Sequence, residues 1–143
     1  MKKKTIMVSG GFDPVHVGHV RMIREAAEWG EVIVVINSDD WLLRKKGYVF
    51  MPWSERAEII KNIQGVSKVV GVDDTDGTVC RALEYHNPDA FANGGDRKKN
   101  NTPEMEVCDN LGIQMFWGIG GKDKPQSSSW LVNKAMEQLN GLK

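Results

Sequence analysis

The sequence predicts an α/β fold: a single-domain, doubly wound sheet of five parallel strands. Two observations carry this. Five short apolar runs alternate with stretches of helical periodicity, and most runs are continuously apolar, as strands covered on both faces are. A β-α-β-α-β-α-β-α-β-α order with right-handed crossovers then closes into a parallel sheet with helices on both faces. The 143 residues suit one domain, 1–143, with one buried core. No internal repeat, low-complexity tract or linker divides them.

The elements follow in order. Ile6-Met7-Val8 is the first strand. The spacing of Val17, Val20, Ile23 and Ala27 predicts the first helix, with Gly30 after Trp29 as its C-terminal stop. Val32–Ile36 is the second strand. Ser54 is expected to cap a helix through Ala57, Ile60, Ile63 and Gln64 that Gly65 closes. Val69–Val72 is the third strand and Ala90-Phe91-Ala92 the fourth. Thr102 and Pro103 start a helix that Gly112 ends. Ile113–Trp117 is the fifth strand, and Leu131, Val132, Ala135, Met136 and Leu139 mark the apolar side of a last helix.

Composition narrows the function. Nineteen basic and nineteen acidic residues balance, which argues against a nucleic-acid scaffold with a broad basic surface. The basic residues are clustered instead, in Lys2-Lys3-Lys4, Arg44-Lys45-Lys46 and Arg97-Lys98-Lys99, the last two in predicted loops. The apolar run after the first cluster is too short for a signal core, and no stretch reaches membrane-spanning length. Cys80 and Cys108 read as free, buried thiols in a reducing compartment. A soluble, cytoplasmic protein is expected.

In such sheets ligands sit at the carboxyl ends of the strands, and the sequence is polar, glycine-rich or basic there. Gly10-Gly11-Phe12-Asp13-Pro14-Val15-His16-Val17-Gly18-His19 follows the first strand. A glycine turn into a helix aims unpaired amides and the positive end of the helix dipole at one point, an anion site. His16 and His19 lie beside it on one face of the first turn. Gly18 inside the helix is locally unfavourable and asks for a reason. Asn37-Ser38-Asp39-Asp40, leading to Arg44-Lys45-Lys46-Gly47, follows the second strand, and Asn93-Gly94-Gly95-Asp96-Arg97 the fourth. A Gly118–Lys124 loop and then Ser127-Ser128-Ser129 follow the fifth. Other readings stay open at this point: a His-x-x-His pair is also half a zinc site, though no further His, Cys or carboxylate cluster accompanies it.

The first segment fills every fixed position of G-x-F-D-x-x-H-x-G-H, and the chain resembles the cytidylyltransferase-like nucleotidyltransferases over nearly its whole length. That resemblance implies a Rossmann-like fold of the nucleotidyltransferase type. It also implies transfer of a nucleoside monophosphate from CTP or ATP to a small phosphorylated acceptor, with release of pyrophosphate. His16, His19 and Lys46 (or its neighbour Lys45) would be catalytic. Gly10, Gly11, Phe12, Asp13, Gly18, Asn93, Gly94, Gly95, Asp96, Ser127, Ser128 and Ser129 would bind nucleotide. Asp39, Lys45, Arg56, Arg97 and Lys122 are acceptor-side candidates, Arg56 being as readily a solvated helix face. Mg²⁺ would ride on the triphosphate, with Asp13 as a turn residue and not a metal ligand. The fold and first motif fit glycerol-phosphate cytidylyltransferases, the leading reading. The Arg44-Lys45-Lys46-Gly47 loop followed by Arg56 is similar to heptose-phosphate adenylyltransferases. A nucleotide-binding module without catalysis is the remaining alternative. Trp41, Tyr48, Phe50, Met51 and Trp53, grouped in a predicted loop, suggest a homodimer contact or an acceptor lid, the homodimer being favoured.

Overall fold

β1 (Thr5–Gly10), β2 (Glu31–Ile36), β3 (Val66–Val70), β4 (Ala90–Gly94) and β5 (Gln114–Ile119) form one parallel sheet in the spatial order β3-β2-β1-β4-β5. The computed structural model describes residues 4–94, 103–119 and 128–141. Among the described residues the strands are joined by α1 (Val17–Trp29), α2 (Asp39–Lys46), α3 (Trp53–Lys61), α4 (Cys80–His86) and α5 (Pro103–Leu111), and α6 (Ser128–Gly141) follows β5. The chain winds outward through β2 and β3 on one side of β1 and through β4 and β5 on the other. Strand order therefore reverses between β1 and β4, and the crevice beyond their carboxyl ends is where ligands of such sheets bind.

Alternation within each strand builds two cores. Ile6, Val8, Val32, Val34, Ile36, Ala90 and Ala92 face one way, against Met22, Ile23 and Ala26 of α1 and Ile60 of α3. Met7, Ile33, Val35 and Phe91 face the other, against Val79, Ala82 and Leu83 around α4 and Cys108 of α5. Burial on both faces is why the central runs read as continuous. β3 is an edge strand, and its Ser67 and Lys68 are exposed. Cys80 and Cys108 are buried free thiols, as expected. Burial raises both, Cys108 to about 11.

The structure corrects several local expectations. Arg44-Lys45-Lys46 is not a loop but the last turn of α2, where cations oppose the helix dipole. Ser38 caps this helix by accepting the Trp41 N–H at 3.0 Å, and Gly47 ends it at φ +85°. Polar caps and short length hid an element with one buried residue, Leu42. Ser54 is inside α3, whose N-cap is Pro52, and Asn62 stops that helix three residues before Gly65. Gly30 is extended (φ −175°) rather than left-handed. A Cβ there would lie 2.6 Å from the Lys4 carbonyl oxygen, so close approach is what requires glycine. The last helix buries Ser128 and half-buries Leu131 and Val132, but Met136 and Leu139 are exposed.

Candidate active site

His16 and His19 are bound into the start of α1 itself. His16 is the N-cap and its Nδ1 accepts the Gly18 N–H at 3.1 Å; the His19 Nδ1 accepts the His16 N–H at 3.1 Å. This is a reciprocal capping box built from two imidazoles in place of a hydroxyl and a carboxylate. The rings stack with centroids 3.8 Å apart, and Phe12 packs against His19 at 4.7 Å. Because each Nδ1 accepts, a neutral ring carries its proton on Nε2 and offers an N–H donor there. Burial first, then His16 and Lys46, lower His19 to about 3. At neutral pH it is an uncharged donor.

The turn that presents this pair is strained and tightly held. Phe12 is buried with φ +53°, a region costly for a bulky side chain. That turn buries Asp13, whose carboxylate accepts the Phe50 and Met51 N–H groups, both at 2.6 Å. Both carboxylate oxygens thus hold the segment after α2 against the β1–α1 loop. At Gly11 a Cβ would meet Leu42 at 3.0 Å and Trp41 at 3.4 Å, so glycine lets α2 lie directly on the loop.

α2 brings in the cation. The Lys46 charge contributes to the lowering of His19. Lys45 is exposed, its ammonium 5.1 Å from the Trp41 ring centroid. Of the two lysines, Lys46 is the one whose charge contributes to the lowering of His19.

Arg56 is not the solvated helix residue that one reading expected, but is fully buried. Its Nε donates to the Met51 carbonyl, Nη1 to the carbonyls of Gly11 (2.7 Å) and Asn37 (2.8 Å), and Nη2 to Asp39. A guanidinium can span three loops because its donors form a rigid fork. Asp39, still 43 % exposed, completes the pair. Arg56 therefore ties together the segments that follow β1, β2 and α2.

Ser128, the first residue of α6, is buried, and its hydroxyl donates to the Pro14 carbonyl at 2.7 Å. That bond brings the α6 N-terminus to the β1–α1 loop. Ser129 is partly buried beside it. Asn93 and Gly94 end β4, at the switch point. Gly95, Asp96, Arg97, Lys122 and Ser127 lie outside the described residues. The aromatic group at 41–53 is largely engaged within the chain: Trp41 is in α2, and Trp53 opens α3 with its indole N–H on the Ile36 carbonyl.

One residue escaped the sequence reading. Asp74, in the loop after β3, is 3 % exposed and accepts hydrogen bonds from Asn37 and from Ser38 twice. The signal was present: the run Asp73-Asp74-Thr75-Asp76 stands at a strand's carboxyl end, the same rule that found the other segments.

Residues 7–120 match the family model described as cytidylyltransferase-like. The chain is 31 % identical over 125 residues to the "Bifunctional protein HldE" of Geotalea uraniireducens, covering 84 % of this chain and 25 % of that protein. It is 30 % identical over 115 residues to the "FAD synthase" of Methanobrevibacter smithii, covering 78 % of this chain and 74 % of that one. The solved lipopolysaccharide core biosynthesis protein of Thermoplasma volcanium superposes with a TM-score of 0.67 at 21 % identity, over 81 % of this chain and 96 % of that one, a likeness of fold. The chain belongs to the cytidylyltransferase-like family of nucleotidyltransferases. It spans about a quarter of the length of the HldE relatives. Among the described residues, no helix is long and apolar enough to cross a membrane.

Proposed function

We propose that this protein transfers a nucleoside monophosphate from a nucleoside triphosphate to a small phosphorylated acceptor and releases pyrophosphate. The observation that carries the reading is the mutual capping of His16 and His19, with the Lys46 charge acting on His19. A phosphate oxygen of the acceptor attacks the α-phosphorus, and the bond to the β-phosphate oxygen breaks. The acceptor is already an anion, so positioning and charge stabilisation suffice and no strong base is required. The Nε2–H groups of the histidines are suited to the phosphate oxygens that gain charge. Lys46 is suited to bridge acceptor and α-phosphate. The α6 N-terminus with Ser128 and Ser129 would receive the triphosphate tail, and Asn93 to Asp96 the base and ribose.

Among the described residues no three His, Cys, Asp or Glu side chains gather as a metal cage, and both Asp13 oxygens are engaged by backbone amides. This donor set fits a triphosphate that brings its own Mg²⁺, which would neutralise phosphate charge and keep several waters.

ATP is the favoured donor, with CTP the second reading. Relatives are named FAD synthase and HldE, and the Arg44-Lys45-Lys46-Gly47 run followed by Arg56 resembles the heptose-phosphate adenylyltransferases. A sugar or polyol phosphate is the favoured acceptor. Pyrophosphate release from ATP and CTP, each offered with heptose 1-phosphate, glycerol 3-phosphate and FMN, tests the whole reading. No release in any pairing, with nucleotide still bound, would instead support a non-catalytic nucleotide-binding module. A homodimer and a cytoplasmic location belong to the same proposal. Exposed Phe50 beside the site supports the dimer, and sedimentation analysis checks it.

A further inference from the structure

We propose that Asp74 is a positioning residue for nucleotidyl transfer, holding α2 against the β3–α4 loop so that Lys46 meets the histidine pair. This rests on the role given to Lys46 above. Asp74 Oδ2 accepts the Ser38 N–H at 2.9 Å and the Asn37 side-chain amide at 3.1 Å, and Oδ1 accepts the Ser38 hydroxyl at 2.6 Å. Its backbone carbonyl accepts Arg44 Nη2 at 2.9 Å. One residue therefore grips α2 at its N-cap and in its last turn, two residues before Lys46.

Helix formation alone does not need this. Ser38 already caps α2 through the Trp41 N–H, and Gly47 already ends it. What Asp74 adds is a fixed place for the helix relative to the edge of the sheet. A buried carboxylate is tolerated only when its oxygens are fully hydrogen-bonded, and here the donors come from residues that flank or form α2. The eight residues of α2 make a rod about 12 Å long, so a shift at Ser38 moves Lys46 as well. The segment that follows α2 is tied separately, by Asp13 to Phe50 and Met51 and by Arg56 to Met51. α2 is thus clamped from two loops that are far apart in sequence.

The test is a double-mutant cycle between Asp74→Asn and Lys46→Ala, with steady-state turnover as readout and hydrogen exchange across α2 beside it. Asp74→Asn is expected to lower kcat by about 10- to 100-fold, with KM for the triphosphate within about threefold of wild type. In the double variant turnover should fall within about threefold of Lys46→Ala alone, because coupled residues are not additive. Amides of α2 should lose protection while those of α1 and the central strands keep theirs. If Asp74→Asn does not fold, Arg44→Met removes the outer grip at an exposed side chain and is read in the same way. Additive losses, or α2 protection equal to wild type, overturn the positioning role while leaving the proposed reaction intact. A wild-type protein without transfer to any acceptor overturns both, and the exchange data still report separately whether Asp74 holds α2.

Discussion

His16 and His19 each complete the other's helix cap: the Nδ1 of one accepts from Gly18 and the Nδ1 of the other from His16, with the rings 3.8 Å apart. The pair therefore has two jobs. One nitrogen of each ring secures the first turn of α1, and in the proposed reaction the Nε2–H would serve the phosphates. Alanine at either position would remove both at once.

Asparagine separates them, since its Oδ1 can stand where Nδ1 stood, and at the N-cap position of His16 it ranks among the best residues. His16→Asn and His19→Asn are expected to keep the fold while lowering kcat by about 10²-fold or more, the scale of one lost preorganised donor. Pyrophosphate release with matched far-ultraviolet dichroism checks this. Turnover near wild type in both variants would leave the histidines as caps only.

Stability should depend on pH through His19. Its folded value is about 3 against an ordinary 6.5, chiefly from burial. Between those values the unfolded chain binds more protons, so stability rises with pH across that window and is lost as pH falls from about 6.5. His86, lowered by burial and then Lys68, acts in the same direction. Asp73 and Asp76, held low by hydrogen bonds from Thr75 and Thr78, matter only below the usual carboxylate range. Thermal unfolding from pH 7 to pH 4.5 should show a smaller decline in His19→Asn than in wild type. Parallel declines would contradict it.

The two lysines should separate. Lys46→Ala is expected to lower turnover by at least about tenfold with little change in nucleotide affinity, the signature of an interaction strongest in the transition state. Lys45→Ala, losing an exposed contact with Trp41, should stay within about threefold. Calorimetric titration of nucleotide beside turnover distinguishes them, and the reverse order of effects would move the bridging role to Lys45.

Arg56 should be a stability residue of unusual weight. Arg56→Met leaves the carbonyls of Gly11, Asn37 and Met51 and the Asp39 carboxylate without their donors. Buried acceptors left unpaired cost about 1–3 kcal/mol each, and partial rehydration reduces the sum, so a loss of about 3 kcal/mol is expected. Urea unfolding measures it. A loss below about 1 kcal/mol would mean the loops find other partners.

The serines at the start of α6 should also divide. Ser128→Ala breaks the bond to Pro14 and should cost about 1 kcal/mol. Ser129→Ala should cost less stability but weaken the thermal stabilisation that added triphosphate confers. Equal nucleotide shifts in wild type and both variants would remove α6 from the phosphate site.

The strands and the Gly10–His19 turn were legible because their signals are local. Apolar runs such as Val32–Ile36 reflect burial on both sheet faces, and the histidines sit three residues apart on one turn. The carboxyl-end rule located the crevice, and strand order β3-β2-β1-β4-β5 puts its switch at β1 and β4. Arg56 and Asp74 were misjudged or missed because their partners are distant along the chain: 45 residues separate Arg56 from Gly11, and 37 separate Asp74 from Asn37. A charged side chain in isolation reads as solvated. Only when the chain brings carbonyls and amides around it does burial become affordable, and its role changes from surface charge to brace. The same holds for α2, whose weak apolar pattern reads as loop until Asp74, Arg56 and the bare backbone of Gly11 give it a seat. Motifs formed by neighbours in sequence could be read directly, whereas the bracing around them depends on contacts that folding alone creates.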